Sequence, residues 1–422
     1  MTAAGPAAAY AAFAARLKAG GIISDPWIEG EPRFRPEPVV LSAGEQTSLY
    51  RAAEEMAAAW NELSLLCQQD PALVATFLGL TRTQQALWWS SAPHWHGIAR
   101  ADVFLTADGP VICELNCDTP SGEAEAVLLN RAAALPGLSD PNAALSRRFC
   151  AMIEAVARTV RQPGPEPLSV GIVYPTEMPE DLSMVLLYRQ WFEERGWRVT
   201  LGSPFNLRRF GGGAAGLFDT PCDVFVRHYK TDWWTERQPV WREEAEVPDP
   251  EPLSEQLAII LGSVLSGRCA VVNPFGAVVA QNKRAMALMW ERMDLFSAQG
   301  RSAIRRYLPE TLRLEALPRQ RLVSEREDWV LKSDYGCEGD QVVIGAETDS
   351  ACWESCVDAA LPGRWVAQKR FRALRDAEGA AANHGVYLIA GEAAGLYTRL
   401  STCATDRHAL STPVLVRTEA RR

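Results

Sequence analysis

The sequence predicts a mixed α+β protein that contains one smaller α/β unit. Three observations carry this. Residues 44 to 90 read as helical. The stretch 168 to 228 alternates strand, helix and strand. The segment from about 329 to 400 is strand-rich, with expected strands at 329–332, 341–345, 364–369, 385–390 and 395–400.

The chain has 422 residues, enough for two or three domains. Hydrophobic residues make up 47% and charged residues 23%, an ordinary globular balance. A formal charge of -9 argues against a nucleic-acid partner, which would need a clustered basic surface. No run of about 18 apolar residues suggests a membrane partner. Ten cysteines occur without a CxxC pair, so they are expected to be reduced thiols of a cytoplasmic protein.

Taking the elements in order, Tyr10, Phe13 and Leu17 fall on one face of an N-terminal helix. Glu45 to Cys67 is apolar at helical spacing and is punctuated by Asp70-Pro71. A hairpin follows at 100–118, then helices at about 123–135 and 141–160. The Pro-rich stretch 162–167 is the best linker candidate. Leu168–Tyr174, Trp197–Leu201 and Asp223–His228 are strands, with an amphipathic helix at 181–195 between the first two. Gly211-Gly212-Gly213 fits a surface connection better than a phosphate loop. A helix begins near 254, a strand lies near Cys269–Asn273, and a helix runs from Asn282 to Met293. The expected units are 1–162, 168–250 and 251–422.

The hairpin is the most informative segment. Arg100, Asp102, Glu114 and Asn116 flank a turn at Ala107-Asp108-Gly109, read as a three-residue loop with glycine at the left-handed position. That register sets Asp102 opposite Glu114 and Arg100 opposite Asn116, all on one face. Two facing carboxylates repel unless a cation sits between them. With the Asn116 amide they make an oxygen site suited to magnesium, and Arg100 is placed for phosphate oxygens. A solvated charged strand face accounts for the segment alone about as well. Cys113 and Cys117 alternate with these residues and are expected on the opposite, buried face.

Trp329 to Lys332 is a strand leading into a loop with Gly336 and Gly339. Such a loop can lay N–H groups on phosphates with Lys332 beneath them, although alone it fits a plain glycine turn. Lys283 opens a helix against the macrodipole, a position that suits an anionic partner. Gln368 is an amide near a strand end, where it could read a purine edge. Arg399 ends the strand Gly395-Leu-Tyr-Thr-Arg and could hold a phosphate or a substrate carboxylate. His94 and His96 form an HxH without a third ligand in view, which favours packing over metal binding.

Together these pieces resemble the synthetase domain of the glutathionylspermidine synthase family. The carriers are Arg100-x-Asp102, then Glu114-x-Asn116-x-Asp118-Thr119-Pro120. Asn282-Lys283 before Leu288-Met289-Trp290 follows, then Lys332 to Gly339, Gln368, and Gly395 with Arg399. The resemblance implies a circularly permuted ATP-grasp fold with a small α/β pre-ATP-grasp unit. It implies ATP and Mg2+ as cofactors, with Asp102, Glu114 and Asn116 as metal ligands. Lys283 and Lys332 would hold nucleotide phosphates, with Gly336 and Gly339 in the loop and Gln368 on the adenine side. Arg100 and Arg399 would serve phosphate transfer. The implied activity is carboxylate–amine ligation through an acyl phosphate, on a peptide-like acid and an amine or polyamine. An ATP-grasp phosphotransferase and a non-catalytic nucleotide-binding scaffold stay open as alternatives. Three departures bear on the substrates. Ser121-Gly122-Glu123 replaces the usual continuation, Ser333 follows Lys332 in place of proline, and the acid after Lys230-Thr231-Asp232-Trp233-Trp234 is displaced by one, to Glu236.

Overall fold

Alternation along the strand Ile98–Thr106 sorts its side chains onto two faces. Ala99, Ala101 and Val103 enter the main apolar core, while Arg100 and Asp102 turn the other way. This strand is next to the middle of a five-stranded antiparallel sheet. Its order is Leu410–Thr412, Glu392–Ser401, Ala381–Ile389, Ile98–Thr106 and Gly109–Asn116. The long helix Ala43–Gln69 covers the core face with Leu49, Met56, Trp60 and Leu63. Ser42 and Glu45 close its N-terminus as a reciprocal capping box. The structure, a computed structural model, describes residues 6–162, 164–176, 181–235, 253–336, 342–402 and 409–418.

The expected helical stretch 44–90 is three elements: Ala43–Gln69, a π-helical turn at Leu73–Phe77, and Arg82–Trp89. The N-terminal helix Pro6–Ala19 buries Tyr10, Phe13 and Leu17, as their spacing predicts.

The small α/β unit is a four-stranded parallel sheet in the order Ala270–Val272, Val224–Arg227, Ser169–Val173, Arg198–Gly202. Its edge strand Ala270–Val272 lies beyond residue 250, so the sheet crosses the boundary expected there. Sequence alone cannot see this, because a three-residue strand joins whichever edge is open. The exposed turn Gly211–Gly213 is remote from the site described below.

A third sheet, also four-stranded, runs Thr311–Arg313, Trp365–Lys369, Trp329–Ser333, Val342–Ile344. Trp329, Leu331 and Ala367 pack behind it on Trp353 and Val357 of the helix Ser350–Ala360. The alternate residues Val330 and Lys332 point to the opposite face, toward the cleft. No helix among the described residues is long and apolar enough to cross a membrane.

Candidate functional site

A cleft of about 1270 Å³ is lined by residues of the five-stranded sheet and of the third sheet, and by Asp181, Met184 and His228 from the helix and strand end of the parallel-sheet unit. The hairpin forms its floor. Asp102 pairs with Glu114 and Arg100 with Asn116, as the sequence predicts, but by a different route. Thr106 pairs with Gly109, so the turn is only Ala107-Asp108. Further along the hairpin the register shifts between Asp102 and Val103, leaving Cys113 as an extra residue in its strand. The short turn and the bulge cancel, and the facing pairs survive. A bulge of this kind re-aims a side chain. Cys113 accordingly lines the cleft instead of sharing the buried face of Cys117. Cys117 does turn inward, its thiol 3.7 Å from the Ala277 carbonyl. Burial pushes the Cys113 thiol up to about 12 and that of Cys117 well above its ordinary value. Neither is a thiolate nucleophile near neutral pH.

Asp102 sits at the centre of a ring of donors. Arg100 Nε reaches it at 2.8 Å, Arg399 Nη2 at 3.3 Å and Asn383 Nδ2 at 3.2 Å. Burial acts to raise its pKa, but the two guanidiniums outweigh it and hold the carboxyl below its ordinary value. Asn116, oriented to satisfy both ends of its amide, donates to Glu114 Oε1 at 3.1 Å and accepts from Arg100 Nη2 at 3.2 Å. Arg100 also donates to the Ser121 carbonyl at 2.7 Å. Its side chain fits because residue 385, which pairs with Asp102 on the next strand, is glycine. A Cβ there would stand 2.6 Å from Arg100 Cδ. The Arg399 side chain is 19% exposed against 9% for Arg100, so Arg399 is the cation more open to the cleft.

The lysines are buried. Lys283, at the start of the helix Arg284–Glu291, donates to the Gly336 carbonyl at 2.6 Å and lies 3.6 Å from Glu114 Oε2. Lys332 donates to Gln368 Oε1 at 2.8 Å and to the Cys113 carbonyl at 3.1 Å. Gln368 Nε2 in turn donates to Thr311 Oγ1 at 3.0 Å. The Gln368 amide is thus engaged at both ends and acts here to orient Lys332. Gly336 lines the cleft and its N–H donates to Ser333 Oγ. Gly339 lies outside the described residues, as does Glu236.

Several neighbours were not found by sequence reasoning. Asn383 is buried, lines the cleft, and its Oδ1 has no partner. It escaped because the strand was expected to begin at 385 and in fact begins at Ala381. Asp118 is gripped by the Arg227 guanidinium and by the amide and hydroxyl of Thr231. This ties the hairpin to the parallel sheet. Glu123 starts the helix Glu123–Ala132 and is fully buried, and neither carboxyl oxygen makes a hydrogen bond of good geometry. Burial pushes it up to about 7, against the pull of its own backbone amide, Tyr188, His228 and Arg100. His96 stacks on Trp95 at 3.6 Å, and burial lowers it to about 3. No group of three or more His, Cys, Asp or Glu side chains forms a metal cluster among the described residues; His96 packs on Trp95, while His94 is exposed.

Residues 249–417 match the sequence model described as the glutathionylspermidine synthase preATP-grasp family. The match includes Lys283, Lys332, Gln368 and Arg399 and stops short of the hairpin. No curated protein matches the sequence. Among solved structures, a glutathione synthetase-like effector from Globodera pallida in its apo form shares the fold, with a TM-score of 0.57 and 9% identity over 97% of each chain. A putative gamma-glutamylcysteine synthetase from Methylobacillus flagellatus KT aligns with a TM-score of 0.47 and 12% identity over 89% of this chain and 87% of that one. Residues 249–417 are thus similar in sequence to the glutathionylspermidine synthase preATP-grasp family.

Proposed function

We propose that this protein is an ATP- and magnesium-dependent ligase that joins a peptide-like carboxylate to an amine or polyamine, on a circularly permuted ATP-grasp fold. We read it as a cytoplasmic enzyme. The observation that carries the reading is the facing pair Asp102 and Glu114 at the floor of a cleft ringed by Arg100, Arg399, Lys283 and Lys332.

The donor set fits magnesium. Glu114, the Asn116 amide and the orphan Asn383 Oδ1 add oxygen ligands around Asp102. Two guanidiniums already neutralise Asp102, which leaves Glu114, 21% exposed, the more available carboxylate. Bound there, the ion would supply charge neutralisation for phosphate oxygens.

The side chains of this chain do the rest. Lys332, fixed by Gln368, and Lys283 bind phosphates from below. The apolar strand face of Val330, Val342 and Ile344 offers a slot for a base. Arg399 is open to the transferring phosphoryl group and Arg100 orients Asp102. The acid carboxylate attacks the γ-phosphorus, and the amine then displaces phosphate from the acyl phosphate. Both cysteine thiols in the hairpin are protonated, so no covalent enzyme intermediate is called on. Positioning and electrostatics carry the rate.

The test is a panel of peptide and amino-acid carboxylates against amines, followed by ADP release and by identification of the product. An amide with ADP and phosphate supports the reading. A phosphorylated product without an amide means a phosphotransferase. Nucleotide binding without turnover means a scaffold. Positional isotope exchange in ATP should need the acid but not the amine.

A further inference from the structure

The parallel sheet brings a second chemical group to the cleft. Its strand order places Val224–Arg227 on one side of Ser169–Val173 and Arg198–Gly202 on the other. The chain therefore reverses direction across the sheet between Ser169–Val173 and Val224–Arg227. Open α/β sheets bind ligands at such a reversal, in the crevice beyond the carboxyl ends of the strands. His228 is the first residue after the strand Val224–Arg227, and its backbone N–H donates across that crevice to the Val173 carbonyl at 2.7 Å. Asp181, at the N-cap of the helix Leu182–Glu193, meets His228 Nε2 with Oδ2 at 3.2 Å. Both side chains line the same cleft as the hairpin.

The dyad is also tied to the reacting end. Arg227 and Thr231, on either side of His228 in sequence, both hold Asp118, two residues beyond Asn116. Met184 and Trp233 add apolar wall beside the dyad. Burial acts to raise Asp181, but His228 outweighs it and holds the carboxyl below its ordinary value, so it is an anion that can steady an imidazolium.

We propose that His228, oriented by Asp181, is the proton acceptor for the amine substrate, and that this end of the cleft is the amine subsite. The inference rests on the ligase reading above. With Nε2–H donated to Asp181, the imidazole lone pair is on Nδ1. An alkylamine arrives as R–NH3+ and gives one proton to Nδ1, which frees the nitrogen lone pair. The nitrogen attacks the acyl carbon, and the carbon–oxygen bond to phosphate breaks with its electron pair on the phosphate. The departing phosphate takes the second proton, leaving an amide N–H, HPO4 2− and imidazolium. His228 is a catalytic residue in this scheme, and Asp181 is a positioning residue.

The experiment compares His228→Gln and Asp181→Asn with the unaltered enzyme, using the acid chosen by the panel. Three rates are measured: acid-dependent positional isotope exchange in ATP, hydroxamate formation with hydroxylamine, and amide formation with the alkylamine the panel selects. Hydroxylamine is neutral at physiological pH and has no surplus proton to lose. His228→Gln should keep the exchange and hydroxamate rates within a few-fold and lose about a hundredfold or more in amide formation, the range for a general base. Asp181→Asn should show the same split with a smaller loss. Unchanged amide formation in His228→Gln overturns the proposal. Equal loss of all three rates also overturns it, because that is a structural role. If the unaltered enzyme shows neither exchange nor hydroxamate with any acid, the ligase reading itself falls and takes this inference with it.

Discussion

Replacing Glu123 by Gln should change how the stability of the fold responds to pH. The carboxyl is fully buried and is pushed up by that burial from 4.5 to about 7. At about 1.4 kcal/mol per pH unit this amounts to roughly 3 kcal/mol. The sign follows from proton binding. Between about pH 4.5 and 7 the folded state holds a proton that the unfolded chain has released. Stability contributed below that window is therefore lost as pH rises through it, and the loss is complete above about 7. A glutamine cannot titrate, so its own burial cost is the same at every pH. The difference in stability between Glu123→Gln and the unaltered protein should shift by up to roughly 3 kcal/mol in favour of the variant from pH 4.5 to 8. For a chain of 422 residues the unfolding entropy is about 0.9 kcal/mol/K, so the thermal midpoints should shift relative to one another by about 3 °C. Melting curves of both proteins across this range measure it. A midpoint difference that does not vary with pH would refute the reasoning, whatever its size at any one pH.

The remaining predictions concern the cleft. Glu114→Gln should abolish ATP turnover while leaving the thermal midpoint unchanged, and removing magnesium should have the same effect; near-normal turnover in the variant would sink the metal assignment. Lys332→Ala should weaken ATP binding by calorimetry and also destabilise the protein by about 1–3 kcal/mol, because Gln368 Oε1 loses its 2.8 Å partner in a buried position. Arg100→Ala should still bind MgATP but lose on the order of 10–100-fold in kcat, more than it gains in KM, because Asp102 loses the guanidinium that orients it. A rise in KM alone would mean that Arg100 only anchors the hairpin. Changing Cys113 and Cys117 together to Ala should leave measurable activity; a folded but inactive double variant would reopen thiol catalysis.

Strand periodicity made the hairpin face legible before any coordinates. Arg100, Asp102, Glu114 and Asn116 lie two residues apart in pairs, and period two places them together wherever the strand packs. Their cross-strand pairing was also right, but only because a two-residue turn and a bulge at Cys113 offset each other. Bulges leave no mark in periodicity over so short a run, so the position of Cys113 could not be read. Asn383 was missed for a related reason: placing the strand start at 385 instead of Ala381 removed it from the face.

The sequence by itself determined that Arg100, Asp102, Glu114 and Asn116 share a strand face, that a long helix starts near residue 44, and which lysines precede or follow a turn. These depend on local periodicity and capping, within reach of a few neighbours. Only the tertiary structure decided that strands from residues 98–116 and 381–401 share one sheet, and that Ala270–Val272 completes another. It alone set Gln368 against Lys332, Gly385 beneath Arg100, Arg227 on Asp118, and His228 on Asp181. Those contacts join residues far apart in the chain, and nothing in the composition of either segment encodes its partner. They form because burying the apolar faces of the sheets leaves a polar cleft, and the charged side chains left on its walls must neutralise one another.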